Sequence, residues 1–149
     1  MSIQSVERGV RILKVLTASS RRMSLTEVSS ARGLAKTTVH GLLKTLHEHG
    51  FVEQGAESGK YQIGHVLLEP GTRYLDVSGL RQRSLVWADL LARRSDESVR
   101  VAVLRSGNAL IVHHVFWPDN SLQILEVGTH RPLNATALGK ALLAKVVER

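Results

Sequence analysis

Apolar residues recur at helical spacing through the first fifty positions. Val6, Val10, Leu13 and Leu16 predict a first helix of roughly three turns, with Ser5 as its N-cap and Glu7 in its first turn. The pattern breaks near 18–22. Ser24 followed three residues later by Glu27 has capping-box spacing and opens a shorter helix, LTEVSSAR, that Gly33 ends. Residues 36–48 predict a third helix with Val39, Leu42, Leu43 and Leu46 as its apolar stripe and Gly50 as its stop. FVEQ and KYQI then read as two short strands around the loop GAESG.

Helical spacing resumes over 66–94, with expected interruptions at Pro70-Gly71 and Ser78-Gly79. Trp87, Leu90 and Leu91, joined by Leu80, predict a buried face there. Residues 98–105 alternate, with Val99, Val101 and Val103 on one face, and a turn at 106–108 leads into ALIVHHVF, so a hairpin is expected. LQILEV predicts a third strand. A final helix, ATALGKALLAKVV, is expected to start at Asn134 or Thr136. Helices with antiparallel strands define an α+β chain and not a parallel nucleotide-binding sheet. Its expected parts are a winged helix-turn-helix at 1–65, a linker helix region at 66–79 and a partial antiparallel sheet with helices at 80–149.

Composition narrows the chemistry. Of 149 residues, 43% are hydrophobic and 22% charged, the balance of a folded chain and not of a disordered one. The net charge of +7 favours an anionic partner. Residues 1–65 hold nine Lys and Arg against five acids and 66–149 hold eleven against eight, so the excess is spread along the chain. The absence of cysteine excludes disulfide frameworks, thiolate metal sites and cysteine nucleophiles. No stretch approaches the ~20 apolar residues of a membrane helix, and the first residues lack signal-peptide character, so a cytoplasmic protein is expected.

Two helices joined by a glycine turn, the second opening with small polar and basic residues, suit insertion into a DNA major groove. Ser29, Gly33, Val39 and Leu42 fall where such helices cross closely. Lys36, Thr37, Thr38, His40 and Lys44 are the expected contacts with phosphates and base edges. Arg21 and Arg22, in the turn before the motif, are expected backbone contacts, and Arg8, Arg11 and Arg32 weaker candidates. Lys60 reads equally as a wing contact or a solvent-facing residue. A helical hairpin inside a globular core, with Lys36 and Lys44 merely solvated, accounts for the same pattern without DNA.

SVERGVRILKVL, LTEVSSARGLAKTTVHGLLKTLHEHGFVEQ, KYQIGHVLLEPG, ESVRVAVLRSG and PLNATALGKALLA together closely resemble, in order, segments of isocitrate-lyase-regulator-type (IclR-type) bacterial transcription factors. The resemblance runs essentially from end to end. It implies a winged-helix DNA-binding domain, a linker helix supporting dimerisation, and a GAF-like effector-binding domain for small, often acidic or aromatic metabolites. It also implies repression of an operator by a homodimer or higher homo-oligomer. Gly41 departs from the family, which usually has a basic residue there, and Asn134 stands where a His is common. The family's effector domain continues past the ALGKALLA helix, so part of it is expected to be absent here.

The start of the last helix offers unpaired backbone N–H groups to a carboxylate at Thr136, Ala137 and Leu138, with Asn134 as a side-chain donor. Ordinary capping of a helix packed on the sheet explains the same residues. Gly139-Lys140 lacks the remaining residues of a phosphate-binding loop. His113 and His114 are adjacent on a strand and face opposite ways, one expected packed and one solvated. No nucleophile elbow, paired carboxylates or zinc-helix spacing stands behind an enzyme, and neither a cofactor nor a metal is expected. The rival expectation is a ligand-binding or interaction module that works through a full-length relative, or a remnant with an open sheet edge.

Overall fold

Capping chemistry decides where the first three helices begin and end. In the computed structural model, which describes residues 3–77, 79–117 and 124–147, α1 runs Gln4–Ala18, α2 Leu25–Arg32 and α3 Lys36–Glu48. Ser24 Oγ accepts from the Glu27 N–H at 3.3 Å while Glu27 returns a carboxylate to the Ser24 N–H at 2.7 Å, the reciprocal box its spacing predicts. Gly33 closes α2 in the left-handed region at φ 61°, a conformation that favours glycine. Ser5 does not cap α1: the helix starts two residues earlier than that cap would place it, and Ile3 at its N-cap makes no side-chain cap hydrogen bond.

These helices close around Ile12, Leu16, Val28, Val39, Leu43, Val52 and Tyr61. Leu42 and Leu46 pack against that cluster, as the α3 stripe predicts. On α1 the inward residues are Gly9, Ile12 and Leu16, whereas Val6 and Val10 stay exposed. The helix has a wider apolar arc than this core covers. Strands β1 (Val52–Gln54) and β2 (Tyr61–Ile63) pair antiparallel, Val52 opposite Ile63. Tyr61 also exchanges both backbone hydrogen bonds with Met23, at 2.7 and 2.8 Å, which ties the wing to the residue just before the α2 cap. At the wing's exit a β-carbon on Gly64 would lie 2.0 Å from the Gly50 carbonyl oxygen, so the backbones meet where only glycine fits.

The chain divides into two units, Met1–Thr72 and Arg73–Arg149. A short 3₁₀ turn, His65–Leu67, leads into α4 (Leu68–Val77), which crosses that division. Pro70-Gly71 does not interrupt the helix, because Pro70 lies in its first turn, where a backbone N–H has no intrahelical acceptor. The expected break at Ser78-Gly79 is seen at Gly79, which has φ 59° and precedes α5 (Leu80–Ser95); Ser78 lies outside the described residues.

The second unit is a three-stranded antiparallel sheet in the order β3 (Val99–Arg105), β4 (Asn108–Val115), β5 (His130–Arg131), with α5 and α6 (Ala137–Val147) packed on it. Ser106 and Gly107, both with positive φ, make the tight hairpin turn. The buried face expected of Trp87, Leu90 and Leu91 is not found: Trp87 is 74% exposed, and α5 meets the strands through Ala88 and Ala92. Alanines let helix and sheet approach closely, and that rotates the large side chains outward. LQILEV is corrected too. Ile124–Val127 is irregular and pairing with β4 begins only at Gly128, whose N–H donates to Ile111 O at 2.9 Å; Leu122 and Gln123 lie outside the described residues. No helix among the described residues is long and apolar enough to cross a membrane.

Two outcomes follow from this packing. Gly64→Ala is expected to cost about 1–3 kcal/mol by overpacking, read as a lowered midpoint in urea unfolding. Glu27, held by Arg21 and the Ser24 cap, titrates at about 2 instead of 4.5. Its folded form therefore binds fewer protons than the unfolded chain, and that stabilisation is full above pH 4.5 and lost as pH falls through 2. Glu27→Gln is expected to flatten the fall of stability in that window, measured by denaturant titrations at stepped pH.

Candidate nucleic-acid interface and ligand pocket

Helix α3 buries one side and offers the other. Val39 and Leu43 face the core, whereas Lys36, Thr37, His40, Gly41 and Lys44 are exposed. Their numbers differ by one, four, five and eight, which places them on a single stripe beginning at the helix N-terminus. Thr38 is half-buried at the stripe's margin. Ala35 provides no side-chain cap, so the first backbone N–H groups of α3 are left for solvent or an anion. Lys44 is 4.0 Å from Glu48 across an exposed turn, a weak pairing. A β-carbon at Gly41 would meet nothing within 4 Å, so the position accepts a longer side chain without repacking.

The remaining basic candidates sit around the wing. Arg21 is committed within its own unit, its guanidinium donating to Glu27 at 2.6 Å. Arg22 Nε donates to Gln62 Oε1 at 2.8 Å, and its guanidinium lies against Gly55 in the wing loop. Lys60 is exposed just before β2 rather than within it, with its backbone holding the loop through a hydrogen bond from the Gly55 N–H at 2.9 Å. At the base of the wing, Glu53 accepts from Gln62 and meets the His65 ring, and those contacts hold its carboxyl below the usual range. The structure thus brings Lys36, Thr37, His40 and Lys44 onto one surface, with Lys60 on the wing and the Arg22 side chain against it.

The second unit holds a cavity of about 400 Å³ at the start of α6. Thr136, Ala137 and Leu138 line it; Asn134 is exposed and is not among its walls. The cap is Thr136 rather than Asn134, its hydroxyl accepting from the Gly139 N–H at 3.1 Å. Gly139 is required there, since a β-carbon would fall 2.2 Å from the Leu133 carbonyl oxygen. Sequence reasoning missed the charged wall. Glu126 accepts from Arg100 Nε and from Arg131 Nη2, both at 2.7 Å, and all three residues line the cavity. Burial alone would raise the Glu126 pKa, but the two guanidiniums outweigh it and hold the carboxyl below its ordinary range. The three residues are far apart in sequence and form no motif; the one available signal was Arg100 alternating with Val99 and Val101 on β3.

The two histidines do face opposite ways. His113 feels Arg81 and Asp89 of α5, and His114 feels Arg100 and Glu126. His114 is the packed ring at 8% exposed, and His113 is half-buried rather than freely solvated; the Nε2 of each is buried without a hydrogen-bond partner among the described residues. Burial lowers both pKa values. No three His, Asp or Glu side chains converge as metal ligands among the described residues.

Comparison with known proteins agrees with this layout. The IclR helix-turn-helix domain matches residues 5–56 and the bacterial transcriptional regulator IclR C-terminal domain matches residues 72–148. The glycerol operon regulatory protein of Streptomyces coelicolor is 54% identical over 143 residues, which cover 96% of this chain and 56% of that protein. The transcriptional repressor IclR of Escherichia coli is 31% identical over 148 residues, covering 98% of this chain and 54% of the repressor. The chain therefore spans little more than half the length of these curated relatives. The crystal structure of an IclR homolog from Microbacterium hydrocarbonoxydans, complexed with 4-hydroxybenzoate, superposes with a TM-score of 0.82 over 96% of this chain and 59% of that one; at 23% identity it speaks for the fold alone. With both family domains matched in order on a winged helix-turn-helix and an antiparallel α+β unit, the chain belongs to the IclR family of bacterial transcriptional regulators, which are not enzymes.

Proposed function

We propose that the chain is a sequence-specific, operator-binding repressor acting as a dimer in the cytoplasm, with α3 read into the major groove of each half-site. The observation that carries this reading is the exposed stripe of Lys36, Thr37, His40 and Lys44 running from the uncapped start of α3. In it Lys36 and the first N–H groups hold phosphate, Thr38 and His40 read base edges, and Lys60 and Arg22 meet the flanking backbone from the wing. The exposed apolar residues Val6 and Val10 of α1, with Ile3 at its N-cap, support self-association. The likeness to a glycerol operon regulatory protein supports control of a carbon-source operon, glycerol use foremost. A small acidic metabolite, aliphatic or aromatic, binds in the cavity at Thr136, Ala137 and Leu138, with Asn134 at its margin, and changes operator affinity.

Fluorescence anisotropy with DNA from upstream of the gene and with scrambled DNA, at several salt concentrations, tests the DNA reading. Lys36→Ala is expected to weaken both complexes and reduce the salt slope by ~1, whereas His40→Ala and Thr38→Ala weaken the upstream complex by about 1–3 kcal/mol and leave the scrambled one unchanged. Equal losses on both DNAs would remove base readout from α3.

A second reading, association with a longer relative, is favoured by the outward face of α5, where Val86, Trp87, Leu90 and Leu91 are all exposed. Light scattering of the chain alone and mixed with a full-length relative separates the two. The repressor reading expects a homodimer that ignores the relative; a mixed species in place of the homodimer supports the module.

A further inference from the structure

The cavity of the second unit is rich in donors. Arg100 and Arg131 stand on one wall and the start of α6 on another. Each guanidinium has five N–H groups, and the contacts with Glu126 engage one of them on each, Arg100 Nε and Arg131 Nη2. His114 is paired with Arg100 across β3 and β4 and lies on the same sheet face. The Glu126 N–H meets His114 Nδ1 at 3.4 Å, which makes Nδ1 the acceptor and leaves the ring proton on Nε2. That buried Nε2–H has no acceptor among the described residues, in a side chain more than nine-tenths buried. His114 is not among the residues lining the cavity, so the donors open to a ligand there are the two guanidiniums and the start of α6.

Glu126 is the acid set among these donors. Its side chain is 18% exposed, less than those of Arg100 at 36% and Arg131 at 44%, so the carboxylate is the inner member of the cluster. It meets each arginine with a different oxygen, bridging the two guanidiniums as an incoming carboxylate or phosphate would.

We propose that Glu126 is a resident counter-ion of this cavity: its carboxylate fills the anion position between Arg100 and Arg131, and an acidic ligand enters by taking over one or both guanidiniums. Position 126 then sets how readily the cavity accepts anions. The apolar walls at Ile111 and Leu138 accommodate a short carbon skeleton behind the acidic group. The inference rests on the reading of this cavity as the effector site, but not on DNA binding.

Titration of the full 149-residue chain by calorimetry, with inorganic phosphate and with benzoate as separate probes, tests it. Glu126→Gln keeps the shape and one acceptor while removing the charge. It is expected to bind both probes about tenfold or more tighter than the unsubstituted chain, the order of one freed charge-assisted contact. Adding Arg100→Gln to that variant is expected to abolish the gain. Equal affinity with and without Glu126→Gln, or a gain that survives Arg100→Gln, would overturn the proposal by placing the anion elsewhere on this basic protein. Should Glu126→Gln not fold, the side-chain carboxyl ¹³C resonance of Glu126 in the unsubstituted chain gives the answer: saturating phosphate moves it if the carboxylate is displaced, and an unmoved resonance overturns the proposal. Binding of either probe with no effect of Glu126→Gln would leave the effector reading intact. A gain in the variant, with no binding by the unsubstituted chain, would remove that reading and, with it, the entry of a ligand past Glu126.

Discussion

The pair of backbone hydrogen bonds between Met23 and Tyr61 is the constraint on which the first unit depends. Tyr61 is a core residue, and Met23 immediately precedes the Ser24 cap of α2. One short bridge therefore fixes the wing, the start of the helix-turn-helix and the hydrophobic cluster in a single geometry. Strands β1 and β2 have three residues a side, a length with little independent stability, and the bridge adds to the burial of Val52 and Tyr61 in anchoring them. This bridge and the close backbone approach at Gly64 hold the wing against the helices that carry the α3 stripe.

The second unit reaches its order differently. Its helix–sheet contact runs through Ala88 and Ala92, and Gly139 lets the loop at Leu133 cross the start of α6. Small residues at contacts bring backbones together and push large side chains outward, which is why α5 shows Trp87 and Leu91 to solvent. The opposite sheet face carries a charged cluster in place of a purely apolar core. A carboxylate bridging two arginines satisfies itself, so burial of Glu126 costs far less than burial of a lone charge would.

Legibility in the sequence followed the range of the interaction. The Ser24–Glu27 box, the Gly33 stop, the bounds of α3 and the β3–β4 hairpin are local, and each was readable from a few residues. The family resemblance extended this to the order of both domains. What escaped was non-local. Which face of α5 is buried depends on how closely the sheet approaches, and hydrophobicity alone chose Trp87 over Ala88 wrongly. LQILEV has strand-like composition, but the third strand begins after the turn at Gly128. The α3 face of the candidate site was legible because one helix carries it. Arg100, Glu126 and Arg131 meet only through the fold, and Arg21 was a free cation in the sequence until the structure joined it to Glu27.

Net charge takes on a different meaning once partners are assigned. The +7 excess is nearly even along the chain, yet its availability is not. Arg21, Arg81, Arg100 and Arg131 each have a carboxylate of their own unit, whereas among the described residues Lys36 and Lys60 have none within 4.0 Å. An arginine already bridged to an acid offers a polyanion little, because its new contact must replace an existing one, while an unpaired lysine gains the phosphate outright and releases counter-ions from the duplex. Pairing thus sorts a uniformly basic sequence into cations without a carboxylate partner, Lys36 on α3 and Lys60 at the wing, and guanidiniums held against Glu126 in the second unit.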